Sequence, residues 1–283
     1  MKCRRIVLLL LVTTLVGLFA PLAALSALAA PPNGKPGGGG QTCTNASPSD
    51  DMVVTQTTIF CPGTYKIADR GKPGVIIVGA DNITLDGTGM TLEGRNASGY
   101  GIYLNGHSGV TIKGFTITSY YYAVRAENAS GLLIEGNTVS GNKITDNTFL
   151  NINQSLASAS GGGILFNQVT RSTVRANTGN RQDVGVNLYE SDGNTIANND
   201  FSHNKAWGIR LFKSSSNTLD ANQAHHVNRC NNSGCDSAGI LVTNDSNYNV
   251  VTNNTLTYSG DGFFIGNQHS LPSNHNRIEG NDG

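Results

Sequence analysis

The sequence repeats with a period of about 22 residues, and this repeat restricts the possible folds more than any other feature. Seven segments share one pattern of apolar and small residues, with steps of 22, 40, 22, 23, 31 and 23 residues between them. The first small residues of the segments are Gly101, Ala123, Gly163, Gly185, Gly208, Gly239 and Gly262. The two longer steps contain one period plus an insertion, near residues 143–160 and 226–237. A unit this short cannot bury its own apolar side, so the units must stack on one another.

Each unit contains two short segments with strand character. In the first, apolar residues alternate with other residues, as in Ile209-Arg210-Leu211, and alternation at period two indicates a strand with one buried face. The second carries one apolar anchor per unit, at Ile112, Ile134, Val174, Ile196, Leu219, Val251 and Ile278. No unit shows the 3.6-residue period of a helix. Together with 35 glycines and only 13% charged residues, this pattern predicts an all-β chain of short strands and frequent turns.

Asparagine recurs at a fixed offset from the second-strand anchors. Three residues after six of the seven anchors stand Asn137, Asn177, Asn199, Asn222, Asn254 and Asn281, whereas the earliest unit has Phe115. The tolerance of Asn for tight turns explains why it is frequent, but not why its offset is constant. If successive units lie about 4.8 Å apart, each side-chain amide can donate to one neighbour and accept from the next. We therefore predict a structural asparagine ladder.

This apolar–asparagine repeat resembles the right-handed parallel β-helix of the pectate-lyase-like superfamily, especially its NosD-like and generic right-handed β-helix repeat proteins. The opening "CTNASPSDDMVVTQTTIFCPGTYKI" is also similar to the capping start of such proteins. The resemblance implies a single-stranded right-handed solenoid of about nine coils with three short strands per coil. It covers residues 43–283, with a disulfide-closed N-terminal cap.

The resemblance is informative about architecture and much less so about chemistry, because the superfamily mixes lyases, hydrolases, epimerases and non-catalytic members. The Asp-Pro-His motif of alginate epimerases is missing from the sequence, and so is the catalytic set of polygalacturonases. No catalytic residue is therefore carried over to this chain.

The N-terminus has the pattern of a secretory signal. A basic start (Lys2, Arg4 and Arg5) precedes a mostly apolar run, and small residues at 27–29 form a cleavage motif. A membrane anchor is the alternative, and the shortness of the apolar run disfavours it. We predict a signal peptide at 1–30 and a Pro/Gly-rich linker at 31–42. The protein is then secreted or periplasmic, with no membrane association beyond the cleaved signal.

The charge balance bears on the partners. Without the predicted signal, 16 basic and 19 acidic residues remain, a net charge of −3, and no basic run occurs. Nucleic-acid binding is therefore not expected.

Four cysteines remain after the signal, at Cys43, Cys61, Cys230 and Cys235. An even number in an exported protein predicts disulfides. Three pairings are possible, of which Cys43–Cys61 with Cys230–Cys235 is the most economical. The alternative is a metal site built from His225, His226, Cys230 and Cys235, but its spacing is not that of a zinc ribbon and an oxidising compartment disfavours free thiolates. We expect no metal and no cofactor.

The positions that vary between units should lie outside the solenoid. Alternation places Tyr103, Arg125, Leu165, Asn187, Arg210, Leu241 and Phe264 in one outward column. It places Asn105, Glu127, Asn167, Tyr189, Phe212 and Thr243 in the next, with Glu190 and Lys213 at the strand end. Aromatic rings can stack on sugars, and cationic side chains can hold carboxylates. The candidate polysaccharide-binding residues are Tyr103, Arg125, Asn187, Tyr189, Glu190, Arg210, Phe212 and Lys213.

A structural explanation stays open for several of these residues. Arg210 can pair with Glu190 of the neighbouring coil, and the insertions can cover the outward leucines. The run Tyr120-Tyr121-Tyr122 fits a sugar platform or aromatic packing at a corner equally well. His107, His203 and the pair His225-His226 are candidate general bases or ligands, but none has an evident partner in the sequence.

The leading functional hypothesis is recognition of an extracellular polysaccharide on this outer face. If the protein is an enzyme, the favoured chemistry is β-elimination of a uronic-acid polymer, in which Arg210 or Lys213 neutralises the carboxylate. The alternatives are a non-catalytic binding module and a NosD-like copper accessory protein. The ending "NRIEGNDG" leaves the last coil without a polar cap, which predicts either end-to-end self-association or a truncated chain.

Overall fold

The structure is a computed structural model that describes residues 46–139, 161–229, 237–266 and 271–283. The predicted signal and linker, together with Cys43, Cys230 and Cys235, lie outside these ranges, so the predictions that concern them stay predictions. Cys61 is buried. By its contacts the chain divides into Met1–Gln41 and Thr42–Gly283, and the second unit contains every described residue. The described residues include no helix of the length and apolarity needed to span a bilayer.

The described residues form twenty-one strands in three parallel sheets. The first sheet contains β1 (Met52–Val54), β4 (Ile76–Val78), β7 (Tyr100–Asn105), β10 (Tyr122–Ser130), β12 (Gly162–Thr170), β14 (Val184–Tyr189), β16 (Trp207–Phe212), β18 (Ala238–Thr243) and β20 (Asp261–Gly266). The second contains β2 (Thr58–Ile59), β5 (Thr84–Asp86), β8 (Thr111–Lys113), β11 (Leu133–Glu135), β13 (Thr173–Arg175), β15 (Thr195–Ala197), β17 (Thr218–Asp220), β19 (Val250–Thr252) and β21 (Arg277–Glu279). The third contains β3 (Gly63–Lys66), β6 (Met90–Glu93) and β9 (Thr116–Thr118).

Each turn of the chain adds one strand to the first sheet and one to the second, so the predicted parallel β-helix is confirmed. Nine strands in each of these sheets enclose about eight full turns, slightly fewer than the predicted nine coils. The third sheet continues beyond β9 as single-residue parallel bridges that run from Thr116 through Thr138 to Asp282. The third strand of each coil is therefore present but shortens to one paired residue along most of the solenoid.

The repeated apolar positions form unbroken columns inside the solenoid. Ile134 pairs with Ile112 on one side and with Val174 on the other, and the column continues through all predicted anchors to Ile278, which is exposed in the last coil. Small residues are needed at the start of the first-sheet strands because the backbones of successive coils approach closely there. A Cβ atom on Gly185, for example, would lie 2.6 Å from the carbonyl oxygen of Gly208.

The ladder asparagines lie in single file. The Nδ2 atom of each donates to the Oδ1 atom of the next, at 3.0 Å from Asn137 to Asn177 and 2.9 Å from Asn199 to Asn222. Each Oδ1 also accepts the backbone N–H of the preceding asparagine, as in Asn177 N–H to Asn199 at 3.0 Å. Every amide from Asn137 to Asn254 is nearly fully buried. The ladder thus satisfies backbone groups that the tight turn would otherwise leave unpaired.

A left-handed residue precedes each ladder asparagine and turns the chain inward. The φ angle is 53° at Ala176, 55° at Asn198 and 53° at Ala221. A left-handed alanine costs about 1–2 kcal/mol, and the hydrogen bonds of the adjacent ladder amide offset this cost.

Phe115 occupies the ladder position in the earliest unit and packs in the interior instead. Its ring meets that of Phe60 edge-on, with ring centroids 5.5 Å apart. Its backbone N–H donates to Asn137 Oδ1 at 3.0 Å. The asparagine ladder therefore begins at Asn137, one coil after the coil that contains Phe115.

A second asparagine ladder, which was not predicted from the sequence, runs two residues before the second-strand anchors. Asn217 Nδ2 donates to Asn249 Oδ1 at 3.1 Å, and Asn249 Nδ2 donates to Asn276 Oδ1 at 3.0 Å. Asn194 joins through its backbone N–H, which donates to Asn217 at 2.8 Å. The constant spacing of "NTI", "NTL", "NVV" and "NRI" was the available signal.

Candidate functional site: the outer face of the first sheet

The outer face of the first sheet carries the predicted variable positions in register. Arg125 pairs with Tyr103 and Leu165, Asn187 pairs with Arg210, and Arg210 pairs with Leu241. The second column runs in the same way from Asn105 through Glu127 to Thr243. Residues far apart in the sequence are thus neighbours on adjacent strands.

The expectation that these residues all face water is wrong for part of the face. Arg210 and Asn187 are 0% exposed and Tyr189 is 3% exposed. Leu165 and Leu241 are buried too, in two apolar clusters separate from the interior core. The physical reason is that large aromatic side chains, such as Trp207 and Tyr122, stand on the same face and pack over their neighbours. Alternation identifies the side of a strand but not what covers that side.

The Arg125 cluster is centred on a carboxylate. We use this name for Arg125, Glu127, Tyr100, Tyr103 and Asn167. Arg125 donates to Glu127 Oε1 through Nη2 at 2.6 Å and through Nε at 3.1 Å, and its Nη1 donates to the Tyr100 hydroxyl. The Tyr103 hydroxyl donates to Glu127 Oε2 at 2.7 Å, and Asn167 Nδ2 donates to Oε1 at 3.3 Å. Both carboxylate oxygens are therefore occupied by donors from three strands.

The electrostatics of the Arg125 cluster follow from these contacts. Burial, followed by the hydrogen bond to the negative Glu127, raises the pKa of Tyr103 to about 12. Burial acts to raise the pKa of Glu127, but the hydrogen bonds from Tyr103 and Arg125 outweigh it and lower that pKa. Desolvation acts to lower the pKa of Arg125, and Glu127 and the tyrosines more than compensate. The pair is thus charged and the phenol neutral at ordinary pH.

The Arg210 cluster is centred on a cation among aromatic rings. We use this name for Arg210, Asn187, Tyr189, Trp207 and Phe212. The guanidinium carbon lies 4.8 Å from the ring centroid of Tyr189, 5.1 Å from that of Trp207 and 5.2 Å from that of Phe212. Arg210 Nη1 donates to the Tyr189 hydroxyl and, at 3.4 Å, to Asn187 Oδ1. A guanidinium is weakly hydrated and stacks well on aromatic faces, which makes this burial possible.

An exposed polar row borders the two clusters, near or just beyond the C-terminal ends of four strands of the first sheet. It consists of Asn128, Gln168, Glu190 and Lys213, which lie one rung apart and all have positive φ angles between 45° and 55°. Gln168 Nε2 donates to Glu190 Oε2 at 3.2 Å, and Lys213 Nζ lies 3.6 Å from Glu190 Oε1. Glu190 thus pairs with Lys213, whereas the pairing with Arg210 considered above is not among its described contacts.

The tyrosine run packs at a corner. Tyr120 is fully buried, and its hydroxyl donates to the carbonyl oxygen of Ile67 at 2.7 Å. Tyr122 is also buried, and its ring meets that of Tyr121 edge-on. Desolvation raises the pKa of all three phenols. Only Tyr121 retains partial exposure, so the run is not an open platform.

The histidines singled out in the sequence lie elsewhere on the solenoid. His107 Nδ1 lies 3.1 Å from Asp81 Oδ1, and backbone and side-chain hydrogen bonds from Ser108 and His107 lower the pKa of Asp81. His203, His225 and His226 form a cluster of three imidazoles beside a surface depression of about 210 Å³. Desolvation and the neighbouring His226 lower the pKa of His225.

The group at the centre of the Arg125 cluster was not predicted from the sequence. Glu127 was placed in an outward column but not among the binding candidates, and Tyr100 and Trp207 were not considered. The available signal was the spacing Arg125-x-Glu127 within one strand, since residues two apart share a strand face.

Comparison with known proteins agrees with this architecture. A family model described as a right-handed β-helix region matches residues 100–282, and the chain belongs to this family. No curated protein matches the sequence significantly.

Similar solved structures include a pectate lyase, Pel9A, at 14% identity and a TM-score of 0.51, with 81% of this chain and 71% of the other covered. The periplasmic alginate epimerase AlgG, crystallised as a double mutant, matches at 15% identity and a TM-score of 0.50, over 81% and 76% of the two chains. The A-module of the Azotobacter vinelandii mannuronan C-5 epimerase AlgE6 matches at 15% identity and a TM-score of 0.50, over 80% and 68%. At these identities the likeness concerns the fold alone, a right-handed parallel β-helix.

Proposed function

We propose that the protein binds a polysaccharide outside the cytoplasm, through the outer face of the first sheet. The observation that carries the proposal is the polar row, which places an uninterrupted file of exposed hydrogen-bonding side chains one rung apart. A linear polymer can contact such a file at successive sugar units, because its own polar groups also repeat along its length. The N-terminal signal pattern supports the location.

The accessible part of the face defines the binding residues of this proposal. Glu190 and Lys213 are exposed, and Tyr103, Arg125 and Phe212 are partly exposed beside them. Aromatic edges next to charged and amide groups are a usual composition for sugar recognition. The other three candidates, Asn187, Tyr189 and Arg210, are buried and support the face from below.

The nature of the polymer is suggested by the similar structures. Their names refer to alginate, mannuronan and pectate, and Lys213 offers a cation for a carboxylated sugar. Alginate and pectate are therefore the first ligands to test, with a neutral glucan as the comparison.

Catalysis is not part of the proposal. The β-elimination mechanism considered above needs a cation at the substrate carboxylate, and the burial of Arg210 makes it a poor choice for that role. Lys213 is accessible but already pairs with Glu190. Turnover is therefore an additional measurement, in which unsaturated products are detected by ultraviolet absorbance.

The experiment measures binding of alginate, pectate and neutral glucan by calorimetry. The test variant is Gln168→Gly/Lys213→Gly, since glycine tolerates the positive φ angles of both positions and the backbone is unstrained. We expect affinity for the preferred polymer to fall by more than about tenfold, because the variant loses one or two charge-assisted hydrogen bonds to it.

The matched control is Arg175→Ala. Arg175 forms an ion pair with Glu135 on the second sheet at 3.1 Å, so this variant also loses a surface cation, but on another face. Equal affinities of the wild type, the control and the test variant would show that the first-sheet face is not the binding surface. Failure of all three to bind any polymer would overturn the proposed function itself.

A further inference from the structure

We propose that His203, His225 and His226 form a binding site for a divalent transition-metal ion such as Zn²⁺ or Cu²⁺. One candidate ligand atom of each histidine lies within 4.8 Å of the others. Neutral imidazole is a preferred ligand of zinc, copper and nickel, whereas Ca²⁺ and Mg²⁺ prefer oxygen. The site is independent of the proposed polysaccharide surface.

The solenoid itself brings two of the rings together. His203 and His226 occupy equivalent turn positions of successive coils, with φ angles of 56° and 54°. Their rings stack with centroids 4.9 Å apart and planes 25° apart, close to the spacing of about 4.8 Å between strands. The rung spacing therefore brings the two imidazoles together, with candidate ligand atoms within 4.8 Å of each other.

The third ring comes from the residue next in sequence. Consecutive residues of a strand point to opposite sides, but the left-handed turn at His226 brings its side chain to the same side as that of His225. The ring of His225 meets those of His203 and His226 edge-on, at 5.5 Å and 4.9 Å between centroids. The three imidazoles are thus in mutual contact, two of them stacked and the third edge-on to both.

The contact between the two consecutive histidines shows how little rearrangement binding needs. Their Nδ1 atoms lie 2.7 Å apart, a distance that requires one of them to donate a proton to the other. A metal ion with bonds of about 2.0–2.1 Å in tetrahedral geometry separates its ligand nitrogens by about 3.3 Å. Replacing the shared proton by the ion therefore opens this pair by well under 1 Å.

The surroundings set the expected strength and coordination. His203 and His226 are exposed and line the surface depression with Arg181, Lys205 and Asn204. Two cationic residues at the rim weaken cation binding, so the site is expected to be weaker than a buried structural zinc site. Three protein ligands also leave the fourth tetrahedral position for water.

The test is calorimetric titration of the full-length mature protein with Zn²⁺ and Cu²⁺, with Mg²⁺ and Ca²⁺ in parallel. We expect one ion bound per chain for Zn²⁺ or Cu²⁺ and no binding of Mg²⁺ or Ca²⁺. His203→Ala should lower the affinity by more than about tenfold, since the loss of an outer-shell partner alone costs about 10–100-fold.

The matched control is His275→Ala. His275 is also an exposed histidine stacked on a ring of the neighbouring coil, with 4.8 Å to the centroid of Tyr248, but it belongs to no histidine cluster among the described residues. Its replacement should leave the affinity unchanged. Equal effects of the two replacements, or binding that survives His203→Ala and His225→Ala alike, would overturn the proposal. Cu²⁺ electron paramagnetic resonance supplies a second readout, in which fewer than two coordinated nitrogens would contradict it.

Discussion

The Arg125 and Arg210 clusters stand on the same face of the same sheet, yet they bury an arginine in different ways. Arg125 shares a carboxylate with Tyr103 and Asn167, and its side chain keeps 20% of its exposure. Arg210 is 0% exposed and lies among three aromatic rings. Among the described contacts, Arg125 shares a carboxylate, whereas Arg210 stacks on aromatic rings and donates to a phenol and an amide.

In the proposed binding surface, the partly exposed Arg125 cluster can exchange contacts with a ligand, whereas the Arg210 cluster mainly supports the face. The Arg125 cluster contains donors and acceptors that water or a sugar can reach. The Arg210 cluster is a packed layer, in which a change in the volume of one side chain disturbs the packing of all its neighbours. The two clusters should therefore respond differently to the same substitutions.

The largest expected effect is that of Arg210→Ala. Removal of this buried side chain leaves a cavity between three rings and unsatisfied partners at Tyr189 and Asn187, so the free energy of unfolding should fall by about 3 kcal/mol. Arg125→Ala should cost about half as much, because Tyr103 and Asn167 still donate to Glu127. Urea unfolding of both variants checks the ranking, and a larger loss for Arg125→Ala would reverse the assignment of the two clusters.

Glu127→Gln should lower the free energy of unfolding at pH 7 by about 1–2 kcal/mol, through the loss of charge-assisted hydrogen bonds. The pKa of Glu127 is lowered in the fold from its ordinary value of 4.5. Its stabilisation is therefore complete above pH 4.5 and is lost as the pH falls through the folded pKa. The variant should lose less stability than the wild type between pH 6 and pH 3. Identical acid sensitivity would contradict this account.

Tyr103 should ionise near pH 12 instead of pH 10, because burial and the adjacent Glu127 disfavour the phenolate. Its neutral form contributes stability that is complete below pH 10 and is lost as the pH rises through the folded pKa of about 12. Burial also raises the pKa of Tyr120, Tyr121 and Tyr122, so ultraviolet titration should show one fewer late-ionising phenol in Tyr103→Phe than in the wild type. An unchanged number of late-ionising phenols would contradict the assignment to Tyr103.

The smallest effect is expected for Glu190→Gln in the polar row. Its ion pair with Lys213 is 3.6 Å long, and the two side chains are 47% and 44% exposed. Exposed pairs contribute little because water and salt screen them, so the free energy of unfolding should change by less than about 0.5 kcal/mol. A loss above 1 kcal/mol would place Glu190 with the supporting cluster instead of the accessible one.

The repeat made the solenoid predictable in detail. The anchors from Ile112 to Ile278 and the six asparagines from Asn137 to Asn281 are adjacent in space because each coil is one period long. The second ladder through Asn217 and Asn249 was equally regular and could have been found from its spacing. Such features can be predicted from the local sequence pattern because each coil packs between two coils of the same pattern.

The outer face was predictable in position but not in burial. Alternation placed Arg125 and Arg210 in one column, and the strand register agrees. It could not distinguish a guanidinium shared with Glu127 from one enclosed by Trp207 and Tyr189, because those neighbours come from different coils.

The sequence by itself determined the coil. With a period of about 22 residues, an apolar anchor and a following asparagine, each coil must stack on the next so that equivalent residues lie over one another. The tertiary structure alone decided which outward side chains are covered and which histidines meet. Burial and clustering depend on the volumes and directions of side chains from several coils at once, and the repeat specifies only the positions that every coil shares.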